Sequence, residues 1–323
     1  MEALEEVELC FPHINTSCRR TTLPHSELIY SGLSCVTLLT VVLNLLVIIS
    51  ISHFRQLHTT TNLLLLSLAV ADFCVGVLQM PVLLLHNQGC WYLGDRMCGV
   101  HYFLGFLVIS VSVGSMVLIS VDRYIAICDP MFYTTRVTLK RVKLSVCLCW
   151  IFSTIHSSWI LRDFLKEPNR FNSCYGNCVV VVSFAEGLVD LVVTLLGPIL
   201  VIAVLYLRVF VVVVSQARAM RGHAVERSES VKATKSELKA ARTLGIVIVV
   251  FLLCSCPYYC FAVAAESNLV GASYAALQIW LLYFNSCLNP VIYVFFYPWF
   301  RKAIKHIVTL KILQTGSREG KVL

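Results

Sequence analysis

Seven apolar runs of roughly twenty residues or more fill most of this chain and leave it few folds to choose from. They lie near residues 28–52, 61–86, 97–127, 143–161, 183–214, 243–265 and 272–296. At about 1.5 Å per residue such a run crosses bilayer hydrocarbon as a helix, which lipid tolerates because every backbone N–H and C=O is satisfied within the segment. A chain of 323 residues that is 58% hydrophobic and 14% charged is too apolar for a soluble domain, and its runs are too long for the strands of a β-barrel. The predicted fold class is an all-α membrane protein, a seven-transmembrane helix bundle with a short amphipathic eighth helix. No repeat or low-complexity stretch divides it, and the one long polar interval is about 217–241. The expected organisation is a tail over 1–27, a transmembrane domain over 28–296, and an eighth helix with a cytoplasmic tail over 297–323.

Seven spans put the termini on opposite sides. Of 26 Lys and Arg, only Arg19, Arg20, Arg96, Arg162, Lys166 and Arg170 fall on the amino-terminal side, so that side is expected outside the plasma membrane. The net charge of +8 then belongs to a cytoplasmic belt that suits anionic membrane lipid or an acidic partner, and no nucleic-acid partner is needed to explain it. Residues 1–26 are polar and acidic without an apolar core, so the first span is expected to direct insertion itself. Asn15-Thr16-Ser17 is a glycosylation sequon in that outer tail. Cys10, Cys18, Cys90, Cys98, Cys174 and Cys178 face the oxidising side, and spacing alone leaves their pairing open.

Polar groups inside the spans carry the functional signal, since each is costly in lipid unless paired. Arg123 has an acceptor in Asp122 beside it and a second in Glu237 at the start of the sixth span. Asp72, Ser112, Asn285, Ser286 and Asn289 form an oxygen-rich set that suits a small hard cation such as sodium, or equally a water-filled hydrogen-bond network. Pro290 removes a backbone donor and kinks the seventh span. Asp190 stands among Val189, Leu191, Val192 and Val193, where a charge costs on the order of 2.5–3.5 kcal/mol. It is expected to face the bundle and to pair with a cationic ligand, or else with His101 or a tyrosine hydroxyl. Glu186 lies one turn nearer the outside and could share a face with Asp190 to hold the second ammonium of a diamine, although a position near the lip predicts a solvated side chain.

Asp122-Arg123-Tyr124, Asn44, Asp72, Trp150, Pro198 and the run from Asn289 to Tyr293 together resemble the rhodopsin-like G-protein-coupled receptors. Within that class, Cys90-Trp91-Tyr92-Leu93-Gly94, the run from Leu238 to Ile246 and the stretch from Asn285 to Lys302 look like a trace amine-associated receptor. The resemblance implies a receptor that senses amines at the olfactory neuron membrane, with a heterotrimeric G protein of the Gs or Golf type as partner and cyclic AMP raised on activation. It implies a lock between Arg123 and Glu237 that gives way to Tyr206 and Tyr293, and a Cys98–Cys178 bridge, with Cys174 paired to Cys10 or Cys18 and Cys90 left open. Relatives usually carry a third-span aspartate where this chain has Gly105, so Asp190 looks like a carboxylate moved to the fifth helix, as in a divergent fish-type branch. Phe106, Tyr258, Tyr259, Trp280 and Tyr283 would complete the site, with the Tyr283 hydroxyl freed for ligand by Gly105. Ser255 replaces the usual tryptophan two residues before Pro257, which leaves Phe251, between Val113 and Pro198, to sense movement of the fifth helix.

No nucleophile, base and orienting group converge at recognisable spacing, so an enzyme is not expected. Residues 271–296 contain no lysine for a retinal Schiff base. The competing reading is a class A receptor for a non-amine ligand, or one that signals weakly or not at all.

Overall fold

The computed structural model describes residues 9–19, 26–86, 90–167, 172, 174–222, 245–247, 249–260, 273–314, 316–320 and 322. Its helices are α1 (Ser26–His53), α2 (Thr60–Leu85), α3 (Gly94–Cys128), α4 (Leu139–Ile160), α5 (Phe184–Ser215), α6 (Gly245–Cys260), α7 (Ser273–Phe296) and α8 (Pro298–Val308). Among the described residues, α1, α2, α3, α5 and α7 each have the length and hydropathy to cross a membrane. The 22-residue α4 has the length, but Lys140, Arg141 and Lys143 in its first turns dilute its hydropathy. Short helices at Pro130–Arg136 and Arg162–Lys166 flank it, and neither was expected.

The helix starts follow local rules. Thr59 accepts a hydrogen bond from the Asn62 amide at 3.3 Å and Thr138 one from the Arg141 amide at 3.4 Å, each satisfying an orphan donor of the first turn. Pro81 and Pro198 each lack an N–H at membrane depth, and each follows a widened π turn, Val75–Gln79 in α2 and Val192–Leu196 in α5. Such a turn lets the freed carbonyls find other partners.

α3 is the central post, packed against α2, α4 and α5, while α1 packs against α2 and α7. Lipid tails are as apolar as leucine, so close approach and hydrogen bonds between helices must hold the bundle. Ser67 and Ser115 join α2 to α3 at 3.2 Å, and Trp150 of α4 donates to the same Ser67 at 3.2 Å. Asn44 of α1 donates to the Ser286 carbonyl of α7 at 2.9 Å. Gly114 lets α3 meet α4 closely, since a Cβ there would lie 2.5 Å from the Cys149 sulfur.

At the end of the bundle bearing the amino-terminal tail, three disulfides join Cys10 to Cys90, Cys18 to Cys174 and Cys98 to Cys178. Cys18 is thus the partner of Cys174, and Cys10 takes Cys90, whose pairing spacing had left open. Main-chain bonds reinforce the clamp: the Cys18 amide donates to Tyr175 and the Tyr175 amide to Thr16, at 2.9 and 2.8 Å. Asn15 stands exposed between the two clamped cysteines. At the opposite end, α8 buries Trp299, Phe300 and Ala303, and Arg301 donates to the Val294 and Phe295 carbonyls, capping α7 with a cation. The chain then returns to the α1 end, where Ser317 meets His53 at 3.0 Å.

Candidate functional site

Asp190 sits in the last turn of α5 before the π turn, buried, with its carboxylate turned to α4 and α6. The His156 Nε2 of α4 lies 3.7 Å from its Oδ1. Thr194, one turn on, donates to the Asp190 carbonyl at 2.5 Å and reaches Oδ1 at 3.5 Å. The Thr194 hydroxyl also hydrogen-bonds the Tyr259 hydroxyl, which ties α5 to α6. Tyr258 packs edge-on against Tyr259 with centroids 5.1 Å apart. The carboxylate is therefore held by neutral hydroxyls and one imidazole, and no lysine or arginine among the described residues pairs with it. His101, the expected internal partner, instead lies against the rings of Trp91 and Tyr102.

His156 was not singled out in the sequence. A lone histidine in an apolar helix carries no periodic signal, and its meaning emerges only where α4 meets α5. Both its ring nitrogens are buried without a hydrogen-bond partner.

Glu186 corrects the expectation of a solvated side chain: it is 2% exposed. It closes a capping box with Ser183, and its Oε1 lies 3.0 Å from Arg162, whose guanidinium also covers the Trp159 ring. Position near the lip was outweighed by this local pairing. The signal was present as Ser183-Phe184-Ala185-Glu186, a serine followed three residues later by glutamate at a helix start.

Gly105 brings a second correction. A Cβ there would meet the Gln79 Oε1 at 3.2 Å and the Tyr283 hydroxyl at 3.3 Å, and Tyr283 donates to that Oε1 at 3.3 Å. The Tyr283 hydroxyl is thus engaged, because Gln79, delivered by the last position of the α2 π turn, fills the space beside the glycine. Trp280 and Tyr283 pack with Val75, Met80, Leu83 and Val108. Phe106 is half-buried on α3 beside Gly105.

Deeper in the bundle, Asp72 is fully buried and accepts from Ser112 at 3.3 Å, Ser286 at 2.8 Å and Asn289 at 2.8 Å. Asn285 makes no bond to it, but the buried Oδ1 atoms of Asn285 and Asn289 have no partner. One carboxylate, two hydroxyls and two unpartnered amide oxygens fit a small hard cation.

At the opposite end, Arg123 donates to Asp122 at 2.6 Å, bonds Thr61 of α2, and reaches Tyr133 at 3.4 Å. Thr61 and Tyr133 also donate to Asp122, at 2.8 and 2.9 Å. Neither Thr61 nor Tyr133 was expected in this network. Glu237 lies outside the described residues. Tyr124 packs with Ile127 of its own helix and Val209 of α5, and Tyr206 is half-buried on α5. Tyr293 is buried with a hydroxyl that has no hydrogen-bond partner. Pro290 lies inside α7. Phe251 shares the main core with Val113, Leu195 and Ile202, while Ser255 is fully buried.

Residues 43–293 match the family described as 7 transmembrane receptor (rhodopsin family). The chain is 38% identical over 326 aligned positions to trace amine-associated receptor 9 of Rattus norvegicus, covering 96% of each chain. It is 35% identical to trace amine-associated receptor 13c of Danio rerio, covering 97% of this chain and 95% of that one, and 36% identical to receptor 8a of Rattus norvegicus. A helix bundle with these polar networks, matched across nearly its whole length, belongs to the rhodopsin family of G-protein-coupled receptors, and within it to the trace amine-associated receptors, which are multi-pass membrane proteins and not enzymes.

Proposed function

We propose that this receptor senses extracellular amines, with the ligand ammonium paired to Asp190. The observation that carries the reading is a buried carboxylate whose neighbours are neutral hydroxyls and a histidine 3.7 Å away, so that charge compensation is left to a ligand. Tyr258 and Tyr259 offer ring faces to the cation, and a dry setting strengthens the pair. Phe106, Trp280 and Tyr283 complete the wall. Glu186 is already neutralised by Arg162, which favours one ammonium at this end.

The amino-terminal tail is outside in this reading, Asn15 carries the glycan, and the disulfide clamp roofs the site. An ammonium at Asp190 draws on the Thr194–Tyr259 bridge and so shifts α6 against α5. At the cytoplasmic end Arg123 leaves Asp122 and Glu237 for the G protein, with Tyr206 and Tyr293 turning in to take its place, and Phe251 and Pro290 relaying the shift. Asp72, Ser112, Asn285, Ser286 and Asn289 would hold sodium, whose charge when bound balances the Asp72 carboxylate. By resemblance the transducer is of the Gs or Golf type, cyclic AMP rises, and the site of action is the olfactory neuron membrane.

The deciding experiment is cyclic-AMP output from cells expressing wild type and Asp190→Asn, challenged with mono- and diamines at a pH where they are protonated. Responses present in wild type and absent in the variant at equal surface expression support the reading; equal responses defeat it. A second reading, a non-amine or weakly signalling receptor, rests on Gly105 and on Ser255 at the usual tryptophan position, and gains if wild type is silent to every amine.

A further inference from the structure

Gln79 is 1% exposed and its Nε2 has no hydrogen-bond partner. A buried carboxamide left half-satisfied forfeits the full desolvation of that N–H, so an unexplained one marks a place where a partner is due. Its Oε1 is held by Tyr283, and it lies against Gly105, where no side chain competes for the space. A second buried donor, the Trp280 Nε1, is also without a partner, one turn from Tyr283 on α7. Both open valences are N–H donors, and no charged side chain is among these residues. Asp72, two turns earlier in α2, has its oxygens engaged by Ser112, Ser286 and Asn289. Thr194 joins the Asp190 turn to the Tyr259 hydroxyl, and Tyr259 packs edge-on against Tyr258, so aromatic side chains run from the Asp190 turn onto α6.

We propose that Gln79 and Trp280 form a second ligand subsite that takes an uncharged hydrogen-bond acceptor, a hydroxyl, ether or carbonyl oxygen, at the far end of an amine held by Asp190. The inference rests on the amine reading and narrows it: the preferred ligand carries one ammonium and one oxygen acceptor, not two ammonium groups. An ammonium has only donors to offer and meets two donors here, with no carboxylate to accept its charge. A plain alkyl end leaves both N–H groups unsatisfied. Gln79 is thus a specificity-determining residue.

The test uses the full-length receptor in detergent and reads the ligand-induced rise in unfolding temperature, so that a receptor that does not signal is still scored. The probes are three homologous series of straight-chain molecules: n-alkylamines, ω-amino alcohols and α,ω-diamines. In wild type the best amino alcohol should bind roughly tenfold or more tightly than the alkylamine of equal length. Gln79→Met should erase that margin while leaving alkylamine binding in place, and Gln79→Glu should transfer the preference to diamines. Asp190→Asn should lose all three series. If amines bind through Asp190 but amino alcohols hold no advantage, or Gln79→Met weakens both series equally, the subsite is wrong and the amine reading stands. If one Gln79 variant fails to reach a folded state, the other decides. If no series binds, or binding survives Asp190→Asn, the amine reading fails and the subsite falls with it.

Discussion

At Asp190 two candidates compete for one carboxylate, the imidazole of His156 and the ammonium of a ligand. His156→Phe removes the internal competitor and leaves the charge more dependent on ligand. Amine sensitivity should therefore rise several-fold, a gain of about 1 kcal/mol in binding, measured as a fall in half-maximal concentration. The conspicuous partner in this pair was legible in the sequence, because a carboxylate in a run of valine and leucine has no reason to be there unless it is paired. His156 and Gln79 were not. A lone histidine or glutamine in a span does not announce its partner, and only the meeting of α4 with α5, and of α2 with α3 and α7, gives them a role. The freed Tyr283 hydroxyl was misjudged for the same reason: the space left by Gly105 was filled by a residue 26 positions earlier in the chain, which no local pattern announces.

The elements owe their shape to a few positions. Ser183 opens α5 with a capping box that also turns Glu186 inward, so Ser183→Ala should cost about 1 kcal/mol of stability, read as a lower unfolding temperature. Gly114→Val should cost more, about 1–3 kcal/mol, because the added methyls press on Cys149 at the contact between α3 and α4. The places of α1, α2, α3, α5 and α7 were plain from the apolar runs, since bilayer thickness sets the length. The π turns were not, although Pro81 and Pro198 advertise a break in the backbone ladder. Both turns sit beside a residue assigned here to the ligand, Gln79 in one and Asp190 just before the other. A shift of one residue in helical phase decides which side chain faces the bundle, and a sequence read at a uniform 3.6 residues per turn does not register it.

For the molecule as a whole, the strongest expectation concerns covalent connection. Peptide mapping without reduction should recover Cys10 with Cys90, Cys18 with Cys174 and Cys98 with Cys178, and no peptide joining Cys10 to Cys174. Replacing Cys18 and Cys174 together by serine should lower stability by about 2–4 kcal/mol, since that bridge closes a loop spanning 156 residues. Pairing was beyond the sequence because it depends on where two loops, the first turn of α3 and a tail come together over the ends of the helices. That convergence bears on how receptors of this kind can be recombined. The amino-terminal tail is stitched to two different loops, with main-chain bonds running alongside the sulfur bridges. A chimera that exchanges the tail alone would inherit one half of each seam, and the workable graft is the tail together with the loops that carry Cys90 and Cys174.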